Sequence, residues 1–421
     1  IQHMICIYIY ISLSLLASTG GISWHQRSST TTRIPMMPRI PFSVIIKAQR
    51  ENHLLPILLK ECRTIDSARN ELRWLRERAV RDSQSLSSKT GWRSRLRSMC
   101  QMRSRGYPLQ YILGDQPFGH LEILCRRGVL IPRSASRNFF LKKLYLLLTS
   151  RYRPETESYT YQAAKLVRQM ARGCNDKSES PNQARPLRVI DLCTGTGCIS
   201  LLLHALLAPH FQKLEIVAVD ISPTALGLAQ ENLKHNLQMG QLASSAGTDI
   251  HFHCADVLRY GCNNSVPSIE SILQIQLPNF GASDTSPPVQ ESGCDLLISN
   301  PPYISQTEFR NGTTARSVRR FEPKLALVPP HSGSGVEDCM PEDIFYHRIL
   351  TLAFKLRAKL TVLECGDSHQ ASRVVALHNR LASTESGQFS AEVWPSRERD
   401  LAENGFHATD GSRCVIIQAL Q

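Results

Sequence analysis

Apolar residues return at helical spacing through 54–102, as Leu55, Leu58, Leu59 and Cys62 and then Leu72, Leu75 and Ala79. That stripe is how a helix buries one face, and it predicts a small helical domain over residues 41–105. Gly106-Tyr107-Pro108 breaks the pattern. Residues 111–131 then alternate around turn formers, which predicts a β-hairpin inside a linker spanning 106–160. From Leu187 short apolar runs near 188–192, 214–219, 250–254, 296–299 and 360–363 alternate with helical stretches. This is the signature of parallel strands joined by crossover helices. A closing antiparallel pair is expected near 391–394 and 414–419. The second domain, an α/β sheet domain, is set at 161–421. Between 260 and 293 Pro, Ser and Asn crowd together with little periodicity, a stretch that reads as a surface insertion.

Length and composition refine this picture only modestly. The chain has 421 residues, 42% of them hydrophobic, enough for one large domain and a smaller one. Its 13 cysteines form no CxxC pair, so neither a disulfide framework nor a zinc site is implied, and a reducing compartment is the simpler expectation. The net charge of +13 is uneven, because residues 1–160 carry 26 Lys/Arg against 10 Asp/Glu. Such a field attracts an acidic protein or RNA, suits a targeting presequence, or simply solvates helix faces. The first acidic residue is Glu51, after Arg27, Arg33, Arg39, Lys47 and Arg50. That composition suits a mitochondrial transit segment, so residues 1–40 are read as a presequence or as untranslated sequence upstream of a start at Met36 or Met37. Mitochondrial location is the expectation, with the cytoplasm as its alternative.

The candidate chemistry lies at the carboxyl ends of the predicted strands. Val189-Ile190-Asp191-Leu192-Cys193-Thr194-Gly195-Thr196-Gly197 runs from an apolar strand into a glycine turn and a helix at 199–207. Glycines let backbone approach a ligand, and the N–H groups of a helix start favour an anion. The next strand ends at Asp220, where a carboxylate can accept both hydroxyl protons of a ribose. The third ends at Ala255-Asp256-Val257, within reach of an adenine amino group. Either aspartate could instead cap a helix. An adenosine cofactor is indicated. NAD is disfavoured because Gly195-Thr196-Gly197 continues as Cys198-Ile199-Ser200 without a third glycine.

Asn300-Pro301-Pro302-Tyr303 follows the strand at 296–299. An amide or exocyclic amine nitrogen has a delocalised lone pair and is a poor nucleophile. The Asn300 side-chain oxygen and the Pro301 carbonyl can each accept one N–H of such a group, while Tyr303 offers a face for a planar substrate. Pro301 and Pro302 stiffen the loop.

These residues resemble the HemK/PrmC family of protein-(glutamine-N5) methyltransferases, which modify the glutamine of the Gly-Gly-Gln loop of peptide chain release factors. The resemblance extends from about Pro38 through Pro108-Leu109-Gln110-Tyr111-Ile112-Leu113-Gly114, Phe118, Gly128-Val129-Leu130-Ile131-Pro132-Arg133 and Phe321-Glu322-Pro323 to Leu363-Glu364-Cys365-Gly366 and Arg399-Asp400-Leu401-Ala402. It implies a class I methyltransferase fold, a Rossmann-like seven-stranded α/β sheet with an N-terminal helical domain and a linking hairpin. It further implies that S-adenosyl-L-methionine sits against Asp191, Cys193, Thr194, Gly195, Thr196, Gly197, Asp220, Asp256, Val257, Asn300, Glu155 and Thr156. Asn300, Pro301, Pro302 and Tyr303 would be the catalytic residues, with no metal, and the helical domain would help dock a release factor. A monomer with no stable nucleic-acid partner and no membrane association is expected.

The chain departs from the family twice. Cys193 stands where glycine is more usual. In addition, residues 134–153, basic and rich in leucine, separate Arg133 from Pro154-Glu155-Thr156-Glu157, which the family joins directly. The segment is read as a retained intron, with a genuine loop as the alternative. Two rival functions remain open: an N6-adenine nucleic-acid methyltransferase, which faces the same amine chemistry on a flipped base, and a non-catalytic binding protein disabled by the interrupted motif.

Overall fold

In the computed structural model the described residues are 39–85, 91–133, 156–173, 185–259, 266–276, 293–330, 339–385, 387–395 and 413–420. The chain falls into two units, residues 1–41 and 42–421, and every helix and strand among the described residues belongs to the second. Glu155, residues 134–153 and the Arg399 to Ala402 motif lie outside the described residues.

Four helices open this unit: α1 (Phe42–Glu51), α2 (Leu55–Cys62), α3 (Ile65–Ser85) and α4 (Trp92–Ser104). Pro56 at the first turn of α2 supplies a helix-ready φ where no N–H is needed. The apolar stripe is buried as its spacing requires, with Leu55, Leu58, Leu59, Leu75 and Ala79 all at 2% exposure or less. Arg103 of α4 forks onto Glu71 of α3, its Nε and one terminal nitrogen donating to the two carboxylate oxygens over 2.7 and 3.0 Å.

The hairpin is shorter than the 111–131 expected. Pro108 starts a one-turn helix, Leu109–Leu113, which Gly114 closes at φ 84°. Only β1 (Asp115–Phe118) and β2 (Leu121–Leu124) then pair. Beyond Leu124 the chain leaves the ladder because Val129 packs on Ala225 and Leu228 of the helix Pro223–Gln238.

Seven strands form the main sheet in the order β5-β4-β3-β6-β7-β9-β8. They are β3 (Leu187–Leu192), β4 (Leu214–Asp220), β5 (Ile250–Cys254), β6 (Leu296–Ser299), β7 (Leu360–Cys365), β8 (Gln388–Trp394) and β9 (Arg413–Leu420). The first five are parallel, and β9 runs antiparallel to both β7 and β8. Each expected strand is present to within three residues at either end. The inner strands contain short apolar runs, such as Ile216 to Val219 and Leu296 to Ile298, because helices cover both faces, leaving two buried clusters, one built around Leu201, Leu202 and Ile216 and one around Val219, Leu297 and Leu363. From β3 the chain steps outward to β4 and β5, then returns beside β3 as β6. That reversal opens a crevice at the carboxyl ends of β3 and β6, the place where such sheets bind ligands.

The 260–293 stretch is not wholly a surface insertion. It contains a helix, Ile269–Gln276, whose Ile269 and Leu273 are fully buried against the sheet. Ile269, Ile272 and Leu273 carry helical spacing for only one turn, inside a stretch otherwise crowded with Pro, Ser and Asn that reads as loop.

The hairpin is fastened to the sheet domain by two fully buried asparagines of the helix Pro223–Gln238. Asn232 Oδ1 accepts from Leu124 N at 2.6 Å while its Nδ2 donates to the Thr196 carbonyl at 3.0 Å. Asn236 accepts from Glu122 N and donates to the Glu122 carbonyl. The side-chain amides thus replace the neighbouring strand that β2 lacks. Asn232→Ala leaves buried backbone groups unmatched and is expected to lower the unfolding free energy by about 2–3 kcal/mol. Urea titration checks this: the midpoint falls with the slope unchanged.

Candidate active site

The turn after β3 is built around one buried carboxylate. Asp191 is fully buried, and its Oδ2 accepts from Thr194 Oγ1 and Ser200 Oγ, both at 2.6 Å. Thr194 N donates to the Val219 carbonyl, and Gly197 N donates to Thr194 O. Gly197, at φ 77°, caps the helix Cys198–Leu207. A Cβ there would stand 3.1 Å from Ala229 Cβ, so its small size is what lets the two helices approach. Cys193 holds φ 62° despite its side chain. A glycine at this position would meet that backbone geometry without strain.

A cavity of about 510 Å³ opens at these strand ends. Cys193, Gly195, Asp220, Asp256, Val257 and Asn300 all stand in its wall, with Pro302 beside Asn300. Around Gly195, at φ 57°, nothing lies within 4 Å of where a Cβ would be, so the turn presents bare backbone to the cavity. Asp220 Oδ2 accepts from Gly195 N and Oδ1 from Ser222 N, both at 2.9 Å. Burial pushes its pKa up, and these backbone donors pull against that. Each oxygen keeps a further lone pair for an incoming hydroxyl. Ser222 is the cap of the following helix, accepting from Ala225 N, so Asp220 is not. Asp256 turns its Oδ1 onto Leu258 N and caps no helix either.

Other expected residues stand behind the wall. Asp191, Thr194, Thr196 and Gly197 are buried under the turn and shape it from beneath. Pro301 is buried. Tyr303 donates from its hydroxyl to Glu364 Oε1 at 3.3 Å. Its ring lies over Gly366, where a Cβ would come within 3.1 Å of it. Thr156, expected at the cofactor, is instead buried behind Asn300, whose Nδ2 donates to Thr156 Oγ1 at 3.3 Å.

The wall also contains residues that no strand-end motif singles out. Arg348, on the helix Ile344–Lys355, is buried, and it donates to the carbonyls of Val257 at 2.9 Å and Arg259 at 3.1 Å while pairing with Glu270. It thereby fixes the loop carrying Asp256 and Val257, and the helix at 269–276 supplies its counter-ion. Opposite, Glu322 accepts from Ile131 N at 3.2 Å and faces Arg133 at 3.2 Å, tying the hairpin exit to the Pro323 segment over the cavity.

The set fits an adenosine-bearing cofactor. Bare backbone lies at the glycine turn, a carboxylate stands at the end of β4, and a mostly apolar wall of Ala255, Val257 and Ile221 leads away from it. Among the described residues no cluster could hold a metal ion, and no helix is long and apolar enough to cross a membrane.

No protein-family model matches the chain. It is 33% identical over 342 residues to a Schizosaccharomyces pombe protein named a probable MRF1 mitochondrial N(5)-glutamine methyltransferase, spanning 80% of this chain and 89% of that one. To the Saccharomyces cerevisiae mitochondrial MRF1 N(5)-glutamine methyltransferase it is 33% identical over 293 residues, 69% of this chain and 68% of the other. A release factor glutamine methyltransferase of Chlorobaculum tepidum is 30% identical over 288 residues, 68% of this chain and 71% of its own. Among solved structures, the catalytic domain of human Mettl16 superposes with a TM-score of 0.39 at 16% identity, covering 77% of this chain and 82% of that one.

Burial raises the Asp191 pKa from 3.8 to about 6, against the hydroxyls of Ser200 and Thr194 that lower it. A carboxyl raised on folding stabilises the protein below its unfolded pKa and loses that contribution as pH rises through the folded value. The ligand-free protein is therefore expected to gain about 1–1.5 kcal/mol from this group on going from pH 7 to pH 5. Urea midpoints of wild type and Asp191→Asn across this window check it. Only the wild type should carry this component, and parallel curves would contradict it.

Proposed function

The chain belongs to the family of release factor N(5)-glutamine methyltransferases, and from that premise we propose that Asn300, Pro301, Pro302 and Tyr303 hold the substrate glutamine for methylation at its side-chain amide. The cofactor is S-adenosyl-L-methionine, which when bound supplies an electrophilic methyl group carried on a sulfonium. Asp220 would hold its ribose hydroxyls, Asp256 and Val257 would line the adenine, and the backbone of Cys193 to Gly197 would face the remainder.

The observation that carries this reading is the setting of Asn300. It follows directly on β6, stands in the cavity wall, and has its Nδ2 engaged by Thr156. Its Oδ1 is left to receive an N–H of the substrate. The Pro301 carbonyl takes the other N–H. With both hydrogens drawn toward acceptors, electron density returns to the nitrogen, and its lone pair is aimed at the methyl group. Methyl transfer to that nitrogen would leave the cofactor as a neutral thioether and release one proton from the nitrogen to solvent. Tyr303, held through its hydroxyl by Glu364, offers its ring to the flat carboxamide.

The partner in this reading is a peptide chain release factor presenting its Gly-Gly-Gln loop, and α1 to α4, with their excess of arginine, form the docking surface for it. The protein works in the mitochondrion, as the names of its two yeast relatives suggest.

Loss of one preorganised acceptor at a reacting group lowers turnover by about a hundredfold or more. Asn300→Ala should therefore bind S-adenosylmethionine normally in calorimetry and transfer methyl to a release factor at least about a hundredfold more slowly; near-normal turnover would remove Asn300 from the chemistry. Asp220→Ala should weaken cofactor binding by roughly 1.5–3 kcal/mol, the range for hydrogen bonds to a charged group, and an unchanged dissociation constant would mean that the ribose is held elsewhere.

A further inference from the structure

One buried carboxylate reaches both functional ends of the Asn300 to Tyr303 loop. β6 and β7 run parallel with Ser299 opposite Leu363, so Asn300 and Glu364 emerge side by side at the carboxyl edge of the sheet. Glu364 is 1% exposed. Its Oε2 accepts from Thr156 Oγ1 at 2.8 Å and its Oε1 accepts from the Tyr303 hydroxyl at 3.3 Å. Its backbone is fixed in turn, since Tyr346 donates to the Glu364 carbonyl at 2.7 Å. Thr156, 2% exposed at the start of the helix Thr156–Gly173, lies between Glu364 and Asn300.

The direction of these bonds decides which atom of Asn300 faces the substrate. A carboxylate only accepts, and a hydroxyl has one proton to give. Thr156 spends that proton on Glu364, so toward Asn300 its oxygen can only accept. Asn300 must then offer its NH2 to Thr156, as the 3.3 Å contact shows. Its oxygen is left for the substrate. The reverse orientation would present NH2 to the hydrogens of a carboxamide and repel them.

We propose that Glu364 is a positioning residue which, acting through Thr156, locks the Asn300 amide with its oxygen toward the substrate and at the same time holds the Tyr303 ring. The inference rests on the role given to Asn300 above. Glutamine in place of Glu364 can donate to Thr156, free the threonine proton for Asn300 and allow the amide to turn over. Valine in place of Thr156 keeps the shape and removes the relay, whereas serine keeps the relay.

The test is a set of transfer assays on the full chain with a Gly-Gly-Gln release factor, alongside calorimetry with S-adenosylmethionine and thermal unfolding. Thr156→Val and Glu364→Gln should each lower kcat by about tenfold or more, part of the loss expected for a missing acceptor, with the cofactor dissociation constant within about twofold of wild type. Thr156→Ser should recover most of that kcat. In an Asn300→Ala background, Thr156→Val should cost nothing further, because residues acting through one another are not additive. A loss that persists undiminished in that background, a loss that serine fails to rescue, or a kcat that neither substitution lowers would overturn the relay. If Asn300→Ala itself turns over normally, the assignment of the loop falls as well, which separates the two failures.

Discussion

A carboxamide nitrogen does not attack a methyl group until something claims its hydrogens, and that constraint governs this architecture. The acceptors must already be in place, because a flexible acceptor would have to be ordered at the moment of reaction. Asn300 follows directly on a parallel strand whose residues are all buried, Pro301 and Pro302 limit the loop, and the carboxylate of Glu364 lies behind it. Rigidity on the cofactor side comes from a different device. Asp191 gathers two hydroxyls and Thr194 donates to β4, so the turn beside the cavity rests on buried hydrogen bonds instead of side-chain bulk.

The order of the sheet makes these two arrangements neighbours. Because β6 returns beside β3, the glycine turn and the asparagine loop face each other across a single crevice. The hairpin covers one side, pinned by Asn232 and Asn236. The helix Ile344–Lys355 covers the other, with Arg348 gripping the carbonyls of the Asp256 loop. The described chain on either side of 134–155 is joined where Glu157 N donates to the Arg133 carbonyl at 3.4 Å.

The strands and the residues at their carboxyl ends are legible in the sequence because the inner strands contain short apolar runs and polar residues that end or closely follow a strand stand out beside them. Asp220, Asp256 and Asn300 can be found this way, and all three stand in the cavity wall. Residues that act across the sheet have no such local mark. Arg348 and Glu270 lie 78 positions apart, and Thr156 lies 208 from Glu364. Nothing near either pair in sequence says that they meet. The motif around Thr156 points to the cofactor, whereas the fold turns its hydroxyl onto Glu364 and sets its oxygen against Asn300. The short helix at 269–276 is hidden for another reason, since its Ile269, Ile272 and Leu273 give a single helical repeat inside a stretch crowded with Pro, Ser and Asn.

Together this cavity and this loop are expected to methylate the amide of a glutamine in a protein. Incubating the protein with isotopically labelled S-adenosylmethionine and a release factor, then mapping the label by peptide mass spectrometry, tests it most directly. One added methyl group per release factor is expected, on the side-chain nitrogen of the glutamine in the Gly-Gly-Gln loop. Label found on another residue, on nucleic acid supplied in the same reaction, or nowhere despite bound cofactor would contradict it.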